Sequence, residues 1–118
     1  MAVSPRDVIE IWDRYTRPPK RKWHICVCDH RQFFLRINSN PIYRPAHLLS
    51  ASNNTFLHHD SYVELQQLVR HITNDIVQAK HLGIISLQEV RKLVESVENA
   101  KTLSDEHKQL IKDRLLNG

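Results

Sequence analysis

Glycine occurs only at positions 83 and 118 of the 118 residues. Phosphate cradles of the Walker or dinucleotide-binding type need several backbone positions free of a side chain, so nucleotide-driven chemistry of that kind is excluded. Cysteine is equally scarce. Cys26 and Cys28 stand two apart in a strand-like run, too close and too parallel to pair comfortably, and read as buried free thiols of a reducing compartment. No window approaches 18 consecutive apolar residues, and residues 1–12 lack the basic start and apolar run of a signal peptide. The expectation is a cytoplasmic protein without a membrane partner.

A further scarcity is local. Between residues 14 and 44 only Asp29 is acidic, against Arg14, Arg17, Lys20, Arg21, Lys22, Arg31, Arg36 and Arg44. Residues 1–60 hold nine Lys/Arg and five Asp/Glu, whereas residues 61–118 hold eight of each, so the formal charge of +4 belongs to the first half. A one-sided field points to a polyanion. Trp12, Tyr15, Trp23, Phe33, Phe34 and Tyr43 lie in or beside the same segment and offer surfaces on which unpaired bases stack, as single-stranded RNA requires. A solvated basic face on an ordinary domain is the alternative reading. With 41% apolar residues, the chain is long enough to form one domain with its own core.

The pattern before residue 75 is of short apolar, β-branched and aromatic runs. Val8–Trp12 reads as a strand ending before Pro18-Pro19, and residues 23–28 and 33–38 read as a hairpin joined by a polar turn. The two-residue period puts Phe33, Leu35 and Ile37 on a core face and Phe34, Arg36 and Asn38 on the other. Residues 40–55 read as a long, functional connection. Residues 61–70 are ambiguous: Ser61 with Glu64 fits a capping box and Leu65, Leu68, Val69, Ile72 and Ile76 a helical stripe, yet the same run suits short strands. After a break at Gly83, Ser86 with Glu89 opens a helix whose Val90, Leu93, Val94 and Val97 share a face, and Ser104 caps another with Leu110, Ile111 and Leu115 inward.

His24, Cys26, Cys28 and His30 are all ligand types on one strand face. Successive same-face residues stand roughly 6.6 Å apart, so one ion with bonds of about 2.0–2.3 Å cannot collect them without His58, His59 or Asp60 from elsewhere. Neither metal nor another cofactor is expected. Nucleophilic cysteine is disfavoured in mid-strand, away from the electropositive helix ends that lower a thiol pKa. His24, His30, His47, His58 and His59 supply imidazoles in the basic half, suited to moving protons. A phosphoryl site without metal needs cations for the transition-state charge and a group that moves a hydroxyl proton, and this segment groups those types.

The order of segments resembles the PemK/MazF-type toxins of toxin–antitoxin systems, small barrel proteins that cleave single-stranded RNA. Asp7–Trp12 looks like the opening strand, Lys20–Cys28 like a basic residue leading into a buried strand, and Phe34–Ser39 like the strand that follows. Asp60–Val63 with Leu65–Arg70 is similar to the Ser-initiated and Gln-apolar-Arg strands, and Leu82-Gly83 before Ser86 to the turn into the closing helix. The likeness spans about residues 7–97. Arg6, Lys22-Trp23 and Asn38 replace the family's usual Gly, Arg-Pro and Thr.

The resemblance implies an α+β fold, a small SH3-like β-barrel over about residues 6–72 followed by C-terminal helices over about 73–118, in a single domain. It implies 2′-hydroxyl attack on the adjacent phosphate without metal, with Arg21 or Lys22 stabilising charge, Ser39 holding a phosphate oxygen and His24 moving the proton. Arg14, Arg17, Lys20, Arg31, Phe34, Arg36 and Arg44 would bind the RNA, with an antitoxin-like protein and a homodimer as open partners. Three functions stay open: a toxin-like endoribonuclease or an inactive relative, a non-catalytic nucleic-acid-binding module, and a protein-interaction domain of a mobile element.

Overall fold

A computed structural model describes residues 2–117. The elements are β1 (Asp7–Asp13), β2 (Lys20–Cys28), β3 (Phe33–Asn38), β4 (Ala46–Leu49), β5 (Ser61–Glu64), β6 (Val69–Arg70), α1 (Thr73–Val77), β7 (Lys80–Ile84), α2 (Leu87–Asn99) and α3 (Asp105–Asn117). The seven strands form one antiparallel sheet in the order β4-β5-β3-β2-β1-β7, with β6 pairing the first residues of β3 beside β5. The sheet does not close, since β4 and β7 stand at its two ends. No described helix is long and apolar enough to cross a membrane.

The β2–β3 hairpin forms as its composition predicts, pairing His24 with Arg36 and Ile25 with Leu35. A bulge between Cys26 and Cys28 breaks the alternation. Cys28 therefore joins Ile25, Val27, Leu35 and Ile37 in the main core, whereas Cys26 faces a second, smaller core. The main core lies between the sheet and α2 and α3, where Leu93, Val97, Ile111 and Leu115 are fully buried. Each such leucine or isoleucine contributes about 1.5–3 kcal/mol relative to exposure. The helix starts follow the predicted caps: Ser86 Oγ accepts the Glu89 N–H at 3.2 Å, and Ser104 Oγ the His107 N–H at 3.1 Å.

Several expectations change. Phe34 is not on an open face: with Ile9, Ile11 and Cys26 it packs against Ile76 of α1 and Ala79, and it has no exposure. Of the two readings of residues 61–70, the strands hold, as β5 over Ser61–Glu64 and β6 over Val69–Arg70, and Ser61 and Glu64 are buried in β5 rather than boxing a helix start. The connection over residues 40–55 carries β4, which pairs with β5. The part expected to be helical holds β7, which pairs with β1. Gly83 is inside that strand, and a Cβ there would lie 2.6 Å from Cδ1 of Phe56, so close approach of the Phe56 ring explains the missing side chain.

Arg6 has a left-handed φ of 80°. Such a backbone costs a residue with a Cβ about 1–2 kcal/mol. Offsetting contacts hold it. Its N–H donates to the Cys26 carbonyl at 2.9 Å, its carbonyl accepts the Ile85 N–H at 3.0 Å, and its Nε donates to the Ile85 carbonyl at 3.0 Å. One strained residue thus joins β2 to the chain leaving β7.

Candidate functional site

The first residues of β2 pair with the end of β1, Lys22 opposite Ile11 and Asp13 opposite Lys20, and line open space together with residues at the end of β3. Two adjoining clefts open there. The smaller, about 340 Å³, is lined by Arg21, Trp23, His58, His59 and Ser61 among others. The larger, about 570 Å³, is lined by Tyr15, Arg17, Tyr43, Gln66 and Gln67 among others. Lys20, Lys22, Asn38 and Ser39 line both, so these four form the dividing wall. Burial, and then the like charge of Lys20, lower the Lys22 pKa below that of an ordinary lysine. A half-desolvated ammonium gives up part of its hydration in advance and is poised for an anion.

A sealed polar network lies behind the wall. Asp13, His24 and His71 are 0%, 0% and 1% exposed. Nε2 of His24 lies 3.3 Å from Oδ2 of Asp13 and 3.0 Å from Nε2 of His71, while its Nδ1 lies 3.1 Å from the Lys22 carbonyl. Both the carbonyl and the carboxylate only accept, so these contacts are satisfied when both ring nitrogens of His24 carry hydrogen and His71 Nε2 accepts. Arg36 Nε and Nη2 donate to the two Asp13 oxygens at 2.7 and 3.3 Å, and the Tyr15 N–H donates to Oδ1 at 3.1 Å. Arg36 also approaches Glu64, at 3.7 Å, and Glu64 accepts from Asn38 Nδ2 at 3.1 Å.

The charges follow from these contacts. Burial alone would raise the Asp13 pKa, but hydrogen bonds from His24 and Arg36 overcome it and hold the carboxyl well below the usual range. Arg36, despite a burial that opposes its charge, is held above its ordinary value by the Asp13 hydrogen bond. Burial, reinforced by His24, lowers His71 to about 4, and its buried Nδ1 has no partner among the described residues. Asp13, His24 and His71 offer ligand atoms all within 4.8 Å of one another. The guanidinium of Arg36 already neutralises the carboxylate, and a dication at the same oxygens would face it without screening. The set reads as a hydrogen-bonded ion network.

The proposed site residues divide accordingly. Arg21, Lys22 and Ser39 come together at the clefts, and His24 does not: it is sealed behind them. Of the RNA-binding set, Arg17, Lys20 and Arg36 line the larger cleft. Arg14 is paired with Asp75 at 2.8 Å, and Arg31 with Glu106 at 3.7 Å while lying 5.0 Å from the Phe33 ring centroid. Burial corrects Phe34, which cannot meet a base, whereas Arg36 reaches the larger cleft with a side chain 12% exposed and a guanidinium held by Asp13 and Glu64. Arg44 is exposed at a separate cleft with Leu48 and Tyr62.

The Cys/His set is split, since Cys26 and Cys28 face different cores and His30 is exposed in the turn. Burial pushes the Cys26 thiol up to about 12, which leaves it without nucleophilic thiolate. The sequence reading missed Asp13 and His71, which no local motif marks, and it met Glu64 only as half of a capping box. Tyr15 and Tyr43 were visible as aromatics within a basic segment, and they are 52% and 48% exposed beside the larger cleft. No protein-family model matches the chain, and no curated protein matches it.

Proposed function

We propose that this chain is a PemK/MazF-like endoribonuclease acting on single-stranded RNA, its sheet an opened form of the small SH3-like barrel. One observation carries the reading: Lys22 and Ser39, which the resemblance assigns to the phosphate, share the wall between two basic clefts. A strand laid across that wall sets one phosphate at Lys22, Ser39 and Arg21. Flanking bases then meet Tyr15 and Tyr43, whose exposed rings suit stacking without sequence demands.

The RNA 2′-hydroxyl oxygen attacks the adjacent phosphorus, and the 5′-oxygen leaves, giving a cyclic phosphate and a 5′-hydroxyl end. Charge gathers on the non-bridging oxygens in the transition state. Arg21 and Lys22 face that charge, and the Ser39 hydroxyl donates to one oxygen, so fixed cations take the part a metal takes elsewhere. The sealed network supports them indirectly, because His24 Nδ1 holds the Lys22 carbonyl.

The test is incubation of purified protein with single-stranded RNA in EDTA, with the ends analysed. Cleavage to cyclic-phosphate ends is expected, lowered at least about tenfold by Arg21→Ala, Lys22→Ala or Ser39→Ala with RNA binding retained. Induced expression without a neutralising partner should also slow growth. Undiminished cleavage in the triple variant would put the site elsewhere. The second reading, a non-catalytic RNA-binding module, is favoured by the complete burial of His24 and predicts binding with no cleavage of any RNA.

A further inference from the structure

We propose that His59, not the buried His24, carries the proton of the attacking hydroxyl in the smaller cleft; the inference rests on the ribonuclease reading above. His24 has no exposure, and its ring nitrogens are engaged by the Lys22 carbonyl, Asp13 and His71. A group in that position cannot touch a substrate. His59 is exposed and lines the cleft that Arg21, Lys22 and Ser39 also line.

The ring is oriented as well as accessible. Nδ1 of His59 lies 2.8 Å from the carbonyl oxygen of Asp60. A carbonyl only accepts, so Nδ1 bears the hydrogen and Nε2 of the neutral ring keeps its lone pair. That tautomer is a base. The main chain is held too: Ser61 Oγ donates to the His59 carbonyl at 3.3 Å, and the Asp60 carboxylate accepts the Ala51 N–H at 2.8 Å. His58, its neighbour in the cleft, makes no side-chain hydrogen bond among the described residues, so of the two only His59 has a fixed ring.

In the step assigned to it, Nε2 of His59 takes the 2′-hydroxyl proton as the oxygen bonds to phosphorus. The P–O5′ bond breaks, its electron pair stays on the 5′-oxygen, and that oxygen takes a proton from water. His59 returns its proton to solvent, so protons balance and nothing is oxidised or reduced. The charged and titratable groups around it are Glu10 on β1, Lys20, Arg21 and Lys22 on β2, and His58 and Asp60 on its own loop.

The experiment is the pH dependence of RNA cleavage by the full chain and three variants. His59→Ala and His59→Asn should both lower the cleavage rate about 100-fold and remove the rising limb between about pH 5 and 8, where imidazole changes charge. His59→Asn places an amide donor where Nδ1 stands, so it keeps the contact to Asp60 and separates proton transfer from loop structure. Added imidazole should restore part of the rate in His59→Ala, which a structural role would not allow. His58→Ala should keep the limb, and RNA affinity should stay as in the wild type. Wild-type rate and pH profile in both His59 variants would overturn the inference and leave the ribonuclease reading standing. A wild-type protein that binds RNA but cuts none at any pH would overturn both.

Discussion

Nε2 of His24 and Nε2 of His71 lie 3.0 Å apart although 47 residues separate them in the chain. The contact ties β2 to the segment between β6 and α1, and it continues through Asp13 and Arg36 to Glu64 and Asn38. The network reaches the larger cleft at Arg36, Asn38 and Glu64, and it touches the backbone of the wall where His24 meets the Lys22 carbonyl. Hydrogen bonds between buried polar groups rigidify what they touch, although His71 Nδ1 stays without a partner among the described residues. The wall that presents Lys22 and Ser39 is therefore backed by a fixed frame.

Stability should fall on mild acidification because of His71. Its pKa in the folded protein is about 4, against 6.5 unperturbed, so between these values the unfolded chain binds a proton that the folded chain refuses. Stability is then complete above about pH 6.5 and declines toward pH 4, by up to about 3 kcal/mol. Asp13 acts lower: its depressed carboxyl contributes stability above its unfolded value of 3.8 that is lost as pH falls through the folded one. Denaturant midpoints at pH 7 and 4.5 measure the first effect. His71→Gln, which still offers His24 an acceptor, should flatten the drop, and a flat wild-type profile in this window would show that His71 accepts its proton without strain on the fold.

Adjacent phenylalanines should differ sharply in cost. Phe34 has no exposure within the second core, and Phe34→Ala should destabilise by about 3–5 kcal/mol. Phe33 is half-buried against the main core, with Arg31 on one side and the His107 ring 5.4 Å away, so Phe33→Ala should cost about 1–2 kcal/mol. Thermal or chemical unfolding of both variants checks the order. The reverse order would place the covered face of β3 on the opposite side of the sheet.

That pair also marks how far the sequence could be read. Alternation in β3 placed Leu35 and Ile37 in the main core, and the caps at Ser86 and Ser104 opened their helices, because both are signals carried by neighbouring residues. The second face of β3 was illegible. Its cover is α1, a five-residue helix without a side-chain cap, and the periodicity of residues 61–76 spreads over strands and helix alike. The candidate site divides in the same way. Arg21, Lys22 and Ser39 sit in local motifs, whereas Arg36 finds Asp13 across 23 residues and His71 finds His24 across 47, pairings made by sheet register rather than by spacing.

The cations of the basic segment should fall into two classes when RNA binding is measured against salt. Arg14 and Arg31 are ion-paired, whereas Arg17 and Lys20 line the larger cleft and have no acidic partner within 4.0 Å among the described residues. Each phosphate contact on a single strand contributes about 0.7 to the slope of log affinity against log salt concentration. Arg17→Ala with Lys20→Ala should therefore lower the slope by about 1.4 and weaken binding most at low salt. Arg14→Ala with Arg31→Ala removes one exposed pair and leaves the buried Asp75 carboxylate without its partner, so it costs stability, yet it should leave the slope unchanged. Single-stranded RNA should also bind more tightly than duplex DNA, since Tyr15 and Tyr43 can stack only on unpaired bases. Equal slopes for the two double variants would mean that the clefts do not hold the strand, and that the positive segment acts only through its summed charge.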